Sequence, residues 1–140
     1  MTPTQQLRKF HETFGVDKMD FNNKEHRMFR LALMEEEFEE FKKAMIEGDE
    51  VLALDGAVDM NVISYGTGDV FGWDMEGAMY ECYASNMSKL DENGEPLING
   101  VNCPLDETRP KGKILKSTQF FEPDFSQFLP DSLGECLKEF

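Results

Sequence analysis

The sequence predicts an all-α fold, in which a four-helix bundle is followed by an irregular C-terminal segment that can form a short hairpin. Two observations support this prediction. Apolar residues recur at helical spacing in four segments before residue 91, and typical capping or stop residues bound these segments. From Asp91 onward the chain is rich in Pro, Gly and Asn, which favour turns. We expect one domain over residues 1–140, with residues 91–140 as a largely irregular tail.

The first helix is predicted from the segment "TPTQQLRKFHETFG". Leu7, Phe10 and Phe14 share one face at helical spacing, and Gly15 supplies a stop. His11 lies on the same face, where we expect a histidine at the edge of the core rather than a metal ligand.

The next three helices are predicted from their caps. The second begins with Asn22 as N-cap and Glu25 as its capping-box partner, and it runs to about Ile46. The third, "EVLALDGAVDMNVISYGTG", follows Asp49 as N-cap. Because it is apolar on nearly every side, we expect it at the centre of the bundle. The fourth, "GWDMEGAMYECYASNMSKL", has Asp74 as its predicted cap.

The tail after residue 91 is predicted from its turn residues. The sequence "DENG" indicates a turn, and the segments "PLIN" and "KILKS" can pair as a short hairpin. The last stretch, "EPDFSQFLPDSLGECLKEF", is predicted to be extended and then to form a short helix.

The charge and the cysteine content narrow the function classes. The formal net charge of -14 excludes nucleic-acid binding through a general basic field. Three cysteines without a CxxC pair indicate free thiols in a reducing cytoplasm. No signal-peptide pattern is visible, and no apolar run is long enough to span a bilayer. We therefore expect a cytoplasmic protein without nucleic-acid or membrane partners.

Five glutamates fall within six positions of the second helix, in "EEEFEE". At about 100° per residue, Glu36, Glu37 and Glu40 lie on or beside the apolar face. By the same spacing Glu35 and Glu39 lie on the opposite, solvated face. An ionised carboxylate beside apolar residues is costly unless a positive charge compensates it.

The third helix carries two further acids among apolar residues. Asp55 and Asp59 are four residues apart and therefore share a face. Arg30 is the one basic residue near the inward arc, and it cannot neutralise five acids. Divalent cations are the other general remedy, so we predict a site for Mg²⁺, with Mn²⁺ as a substitute. The predicted ligands are Glu36, Glu37, Glu40, Asp55 and Asp59.

Four motifs occur in an order that resembles a known superfamily. They are E-E-x-x-E at residues 36–40, "LDGAVDMNVISYGTG", "SNMSKL" and "GKILK". The set resembles the all-α nucleoside triphosphate pyrophosphohydrolases, the MazG-like and phosphoribosyl-ATP pyrophosphohydrolase-like superfamily, over roughly Leu7 to Phe125. One motif departs from the family pattern E-x-x-D. Gly56 stands three residues before Asp59, where the family has Glu, and Asp55 can take over that carboxylate's place.

The resemblance implies Mg²⁺-dependent hydrolysis of a nucleoside or deoxynucleoside triphosphate to the monophosphate and pyrophosphate. Glu37 and Glu40 are candidates to accept the proton of the attacking water. The resemblance also implies that Asn86 and Lys89 reach the phosphates or the sugar.

The tail is expected to complete this site. We expect Lys113 or Lys116, in "RPKGKILKS", to contact phosphate when this loop closes over the substrate. The resemblance further implies a homodimer or a higher homo-oligomer.

Two other interpretations stay open at this point. The protein could be an acidic helical interaction protein or a nucleic-acid mimic without catalysis. This interpretation accounts for the net charge but not for the acids on the inward faces of the helices. Another metal-dependent nucleotide phosphohydrolase explains the acids equally well, and identification of the reaction products separates it from a pyrophosphohydrolase.

Overall fold

The protein is an all-α protein, as predicted. The computed structural model describes residues 1–130, and the short helix predicted at the C-terminus lies outside the described residues. The four helices are α1 (Pro3–Phe14), α2 (Lys24–Glu47), α3 (Glu50–Phe71) and α4 (Met75–Met87). Within residues 1–130, no helix combines the length and the apolar character that a membrane crossing requires.

The described chain forms two compact units. Residues 1–75 with 128–130 form the first, and residues 76–127 form the second. The single domain predicted for residues 1–140 stays a prediction.

The helix ends follow local side-chain chemistry, with one shift from the prediction. Asp49 caps α3 as predicted, because its side chain accepts a hydrogen bond from the backbone N–H of Leu52. The cap of α2 is Asn23, not Asn22. The Asn23 side chain accepts from the backbone N–H groups of Glu25 and His26. The predicted capping box of Asn22 with Glu25 is therefore wrong by one residue.

The second unit contains the predicted hairpin. Strands β1 (Leu97–Ile98) and β2 (Ile114–Leu115) pair antiparallel, with Leu97 opposite Leu115 and Ile98 opposite Ile114. A short 3₁₀ helix, Ser126–Phe128, ends the extended stretch that follows.

Helices α1 and α2 both pack against α3 in the first unit. Apart from Gly56, the buried residues of α3 lie in its C-terminal half, at Gly66 and from Gly68 to Phe71. Its N-terminal half exposes large apolar residues, among them Val51 at 78% and Leu54 at 66%. The expectation that α3 lies at the centre of a bundle is therefore wrong for its first half within this chain.

A buried carboxylate joins the N-terminal segment to α3. Asp69 Oδ2 lies 2.7 Å from His11 Nδ1, and Lys18 Nζ donates to Asp69 Oδ1 at 3.1 Å. Arg8 Nε lies 3.6 Å from Asp69 Oδ1. Burial by itself raises the pKa of Asp69, but the hydrogen bonds and charges of His11 and Lys18 outweigh it and lower the pKa. His11 is thus a buried structural partner of Asp69.

Asp69→Asn is expected to lower the free energy of unfolding at pH 7 by roughly 1.5–3 kcal/mol, the range for hydrogen bonds to a charged group. A lowered folded pKa stabilises the protein above the ordinary carboxyl pKa, and this stability is lost as the pH falls through the folded value. The free energy of unfolding of Asp69→Asn should therefore fall less between pH 7 and pH 3 than that of the wild type. Urea unfolding from pH 7 down to pH 3 measures both effects.

The matched control is Asp17→Asn, an exposed carboxylate of the same connecting segment. We expect it to stay within about 0.5 kcal/mol of the wild type. Parallel pH curves for Asp69→Asn and the wild type would show that Asp69 does not anchor the N-terminal segment.

Candidate active site

Three carboxylates meet between α2 and α3 in the first unit. Glu37 and Glu40 are three residues apart on α2, so they share a face, and Asp59 faces them from α3. One oxygen atom of each lies within 4.8 Å of one oxygen of the others. We call Glu37, Glu40 and Asp59 the carboxylate cluster.

Glu37 is a half-buried member of the carboxylate cluster. Its Oε2 is buried and accepts no hydrogen bond within residues 1–130. Burial raises the pKa of Glu37, and the negative charges of Asp59, Glu40 and Glu36 raise it further. In the described part of the chain no basic side chain forms an ion pair with the cluster. The cluster therefore carries negative charge that no basic side chain of residues 1–130 neutralises.

Arg30, the one basic residue predicted near the inward arc, is buried but engaged elsewhere. Its guanidinium donates to Thr67 Oγ1 and to the carbonyl of Ile63, both at 3.0 Å. Burial lowers the pKa of Arg30, and the charge of Asp69 partly opposes this shift. Arg30 thus links α2 to α3, and its hydrogen bonds go to α3 residues outside the carboxylate cluster.

The other two predicted metal ligands lie outside the carboxylate cluster. Glu36 is exposed on α2. Asp55 is exposed on α3 and lines a cavity of about 240 Å³ together with Glu40 and Lys43. Their assignment as ligands stays a prediction.

There is a steric reason for glycine at position 56, where the family pattern E-x-x-D has glutamate. A Cβ atom at this position would lie 2.9 Å from both the Cα and the Cβ of Phe41 on α2. Real side chains do not approach a backbone so closely without displacing it, so α2 and α3 can cross at this distance only if residue 56 is glycine. A glutamate at this position, as in the family pattern, is incompatible with the observed helix contact.

The four predicted substrate contacts belong to the second unit. Asn86 is exposed near the end of α4, and Lys89 follows in the turn, where its backbone N–H donates to the Asn86 carbonyl. Lys113 and Lys116 flank β2. Lys116 Nζ lies 3.5 Å from Glu122 Oε1 and 4.5 Å from the centroid of the Phe120 ring, whereas Lys113 has no acidic partner among the described residues. Their roles in substrate binding stay predictions.

Sequence reasoning missed the residue that organises the loop before Lys113. Asn99 is fully buried, and its Nδ2 donates to three carbonyls, those of Asp106, Arg109 and Pro110. Its Oδ1 accepts from the backbone N–H of Asp106. The composition of this stretch indicated only irregular structure, and burial of the asparagine has no local sequence signal.

Comparison of the sequence with known proteins identifies the family of the chain that carries this cluster. A comparison with curated proteins gave no match. The sequence pattern of phosphoribosyl-ATP pyrophosphohydrolase matches residues 7–86, which contain most of α1, all of α2 and α3, most of α4 and the whole carboxylate cluster. Because this match spans more than half of the chain, the protein belongs to the phosphoribosyl-ATP pyrophosphohydrolase family, within the MazG-like superfamily of pyrophosphohydrolases.

Proposed function

We propose that the protein hydrolyses a nucleoside or deoxynucleoside triphosphate to the monophosphate and pyrophosphate, with Mg²⁺ as cofactor and Mn²⁺ as a substitute. One observation carries the proposal beyond family membership. The carboxylate cluster gathers unneutralised acids from two helices, and triphosphates reach proteins as complexes with divalent cations. Acidic protein and anionic substrate then meet through the cation.

The donor set fits a hard divalent cation. Carboxylate oxygens are the ligands that Mg²⁺ prefers, and a cation removes the repulsion that raises the pKa of Glu37. Glu37, Glu40 and Asp59 would hold the ion, with Glu36 and Asp55 as further proposed ligands. When bound, the ion supplies charge neutralisation for the phosphates and lowers the pKa of a coordinated water.

The chain's own groups perform the remaining steps. We assign to Glu37 or Glu40 the acceptance of the proton from the attacking water. Asn86 and Lys89, together with Lys113 or Lys116, would hold phosphate oxygens by charge-assisted hydrogen bonds. Lysine would stabilise the negative charge on the departing pyrophosphate, and this favours cleavage between the α and β phosphates.

A second substrate follows from the family description, which names phosphoribosyl-ATP. It presents the same triphosphate to a carboxylate cluster, so the same chemistry would release pyrophosphate from it. The two substrates differ in the group attached to the base, and the assay below includes both.

The test is product analysis on protein stripped of metal with a chelator. A panel of ribo- and deoxyribonucleoside triphosphates and phosphoribosyl-ATP is incubated with and without Mg²⁺ or Mn²⁺. We expect pyrophosphate and the monophosphate, formed only when metal is added. Release of orthophosphate alone, or activity that the chelator leaves unchanged, would refute the proposal.

Lys113→Met is expected to lower kcat/KM by an amount equivalent to about 1.5–3 kcal/mol, the range for a hydrogen bond to a charged group. Lys113 is favoured over Lys116 because Lys116 already contacts Glu122 and Phe120. Lys116→Met is therefore the matched control, with a smaller loss. If both variants keep the wild-type kcat/KM, the loop does not contact the substrate.

We also propose that the chain forms a homodimer or a higher homo-oligomer. Large apolar side chains are exposed at the end of α2 and the start of α3, including Ile46 and Leu54. Several large apolar side chains exposed around one helix junction are typical of a protein interface. Sedimentation at micromolar concentration should give at least twice the chain mass of 16.1 kDa, and Leu54→Glu should reduce it. A wild-type monomer under these conditions would contradict the proposal.

A further inference from the structure

One buried side chain holds the loop that connects β1 to β2. Asn99 is fully buried. Its Nδ2 lies 3.0 Å from the carbonyl oxygen of Asp106, 3.2 Å from that of Arg109 and 3.1 Å from that of Pro110. Its Oδ1 accepts from the backbone N–H of Asp106 at 2.8 Å. Residues 106–110 lie outside helices and strands, so the Asn99 side chain supplies hydrogen bonds that regular backbone pairing does not give them.

The backbone of Asn99 bonds directly to the residues around Lys113. The Asn99 N–H donates to the Lys113 carbonyl at 2.9 Å, and the Asn99 carbonyl accepts from the Gly112 N–H at 2.8 Å. The Lys113 N–H donates to the Pro110 carbonyl at 3.2 Å, and this carbonyl is also a partner of the Asn99 side chain. Both backbone polar groups of Lys113 are therefore tied to Asn99, one directly and one through Pro110.

The turn before Lys113 leads the chain into β2. Residues 110–113 form a four-residue turn, in which Gly112 has a φ of 87°. This backbone conformation favours glycine because it has no Cβ. Lys113 is exposed, and within residues 1–130 it forms no ion pair. The loop thus combines a fixed backbone at Lys113 with an ammonium group that can meet an anion.

We propose that Asn99 is a positioning residue for Lys113, because it holds the loop in the conformation in which Lys113 contacts a phosphate oxygen of the substrate. This inference rests on the proposed function and deepens it by naming what sets the phosphate contact. A contact group that is held in place before binding loses less conformational entropy when the ligand binds. The backbone around Lys113 is then set before the substrate arrives, and it does not have to be ordered by the closure expected from the sequence.

Asn102 provides the matched control in the same loop. Its Oδ1 accepts from the Ile98 N–H at 2.7 Å, and its Nδ2 donates to the Pro96 carbonyl at 2.6 Å. Like Asn99, it uses both ends of its amide to bond to the backbone, but these partners lie at and before β1. Asn102→Ala therefore removes hydrogen bonds from the loop without releasing Lys113.

Limited trypsin digestion of the metal-stripped full chain tests the loop without catalysis. Mass spectrometry of the products reports cleavage after Lys111 and after Lys113, which are both exposed. We expect Asn99→Ala to speed cleavage at both sites, because local opening of the backbone admits the protease. Asn102→Ala should leave both rates within about twofold of the wild type. Equal rates in Asn99→Ala and the wild type would overturn the inference.

A double-mutant cycle shows whether Asn99 acts through Lys113. Alone, Asn99→Ala should lower kcat/KM, mainly through KM, by no more than Lys113→Met does, which is roughly 10- to 150-fold. In the double variant the two losses should not add, because a displaced loop and a missing ammonium group remove the same contact. Asn102→Ala should change kcat/KM less than about twofold. Asn99→Ser keeps one hydroxyl donor and should show a smaller loss of the same kind, and it replaces Asn99→Ala in the cycle if that variant fails to fold.

The outcomes separate this inference from the proposed function. If the losses add, or if either Asn99→Ala or Lys113→Met keeps the wild-type KM, Asn99 does not position a phosphate contact and the inference is overturned, although pyrophosphate release stands. If no triphosphate yields pyrophosphate, the proposed function fails, and calorimetric binding of inorganic pyrophosphate with Mg²⁺ decides the inference. Asn99→Ala and Lys113→Met should then both weaken this binding without adding. Absent binding, or binding that the two variants leave unchanged, would also overturn the inference.

Discussion

Glu37→Gln is expected to abolish pyrophosphate release while the helical fold stays intact. The substitution keeps the size of the side chain and removes one charge from the carboxylate cluster. Because an amide is neutral and is not a base near neutral pH, a glutamine at position 37 can neither compensate a divalent cation nor accept a proton from water. The measurement is kcat/KM with Mg²⁺, together with circular dichroism of the variant.

The same variant should be at least as stable as the wild type when metal is absent. Burial and neighbouring charges raise the pKa of Glu37 above its ordinary value of 4.5. A raised carboxyl pKa means that the folded state binds the proton more tightly than the unfolded state, so stability falls as the pH rises through this window. Glutamine removes that cost, and Glu37→Gln should therefore lose activity without losing stability.

Added metal should distinguish the two proteins further. The wild type should gain about 2.7 kcal/mol at a Mg²⁺ concentration one hundred times the dissociation constant, whereas Glu37→Gln should gain much less. Glu40→Gln should behave like Glu37→Gln. The controls Glu35→Gln and Glu39→Gln, on the exposed side of α2, should stay within about 0.5 kcal/mol of the wild type and keep activity. If all four variants behave identically, the helix face on which a glutamate lies does not determine its role in metal binding and activity.

Gly56→Glu is expected to give the largest loss of stability among single changes near the site, although it restores the family pattern E-x-x-D. Replacement of a helical glycine normally gains up to about 1 kcal/mol in helix propensity. Here the new Cβ would lie 2.9 Å from the backbone of Phe41, so α2 and α3 must separate. Overpacking of this kind costs about 1–3 kcal/mol, and burial of a charge adds to it, so the steric effect wins. Urea unfolding measures the loss.

Two further variants define the cause of that loss. Gly56→Ala adds only the Cβ and should account for the steric part. Asn61→Glu introduces the same side chain at an exposed position of α3 and should stay within about 0.5 kcal/mol of the wild type. A Gly56→Glu protein of wild-type stability with tighter Mg²⁺ binding would mean that the close helix contact is not required.

Features that depend on neighbouring residues could be predicted from the sequence. The extents of the helices, the cap at Asp49 and the pairing of β1 with β2 follow from periodicity and turn residues. The error at the cap of α2 arose because two adjacent asparagines can both serve as N-cap, and only the backbone conformation selects Asn23. Asp69 was not singled out, because its partners His11 and Lys18 are more than 50 residues away in the chain.

The helical repeat sets the direction of every side chain, so the order of residues alone places acids on the inward side of α2 and a second acidic pair on α3. Which of these acids converge depends on how the two helices pack. Glu37, Glu40 and Asp59 meet because Gly56 allows α3 to approach the backbone of Phe41 at this level, whereas Glu36 and Asp55 lie outside the group. The distance and angle between two helices depend on contacts across the chain, which periodicity does not encode.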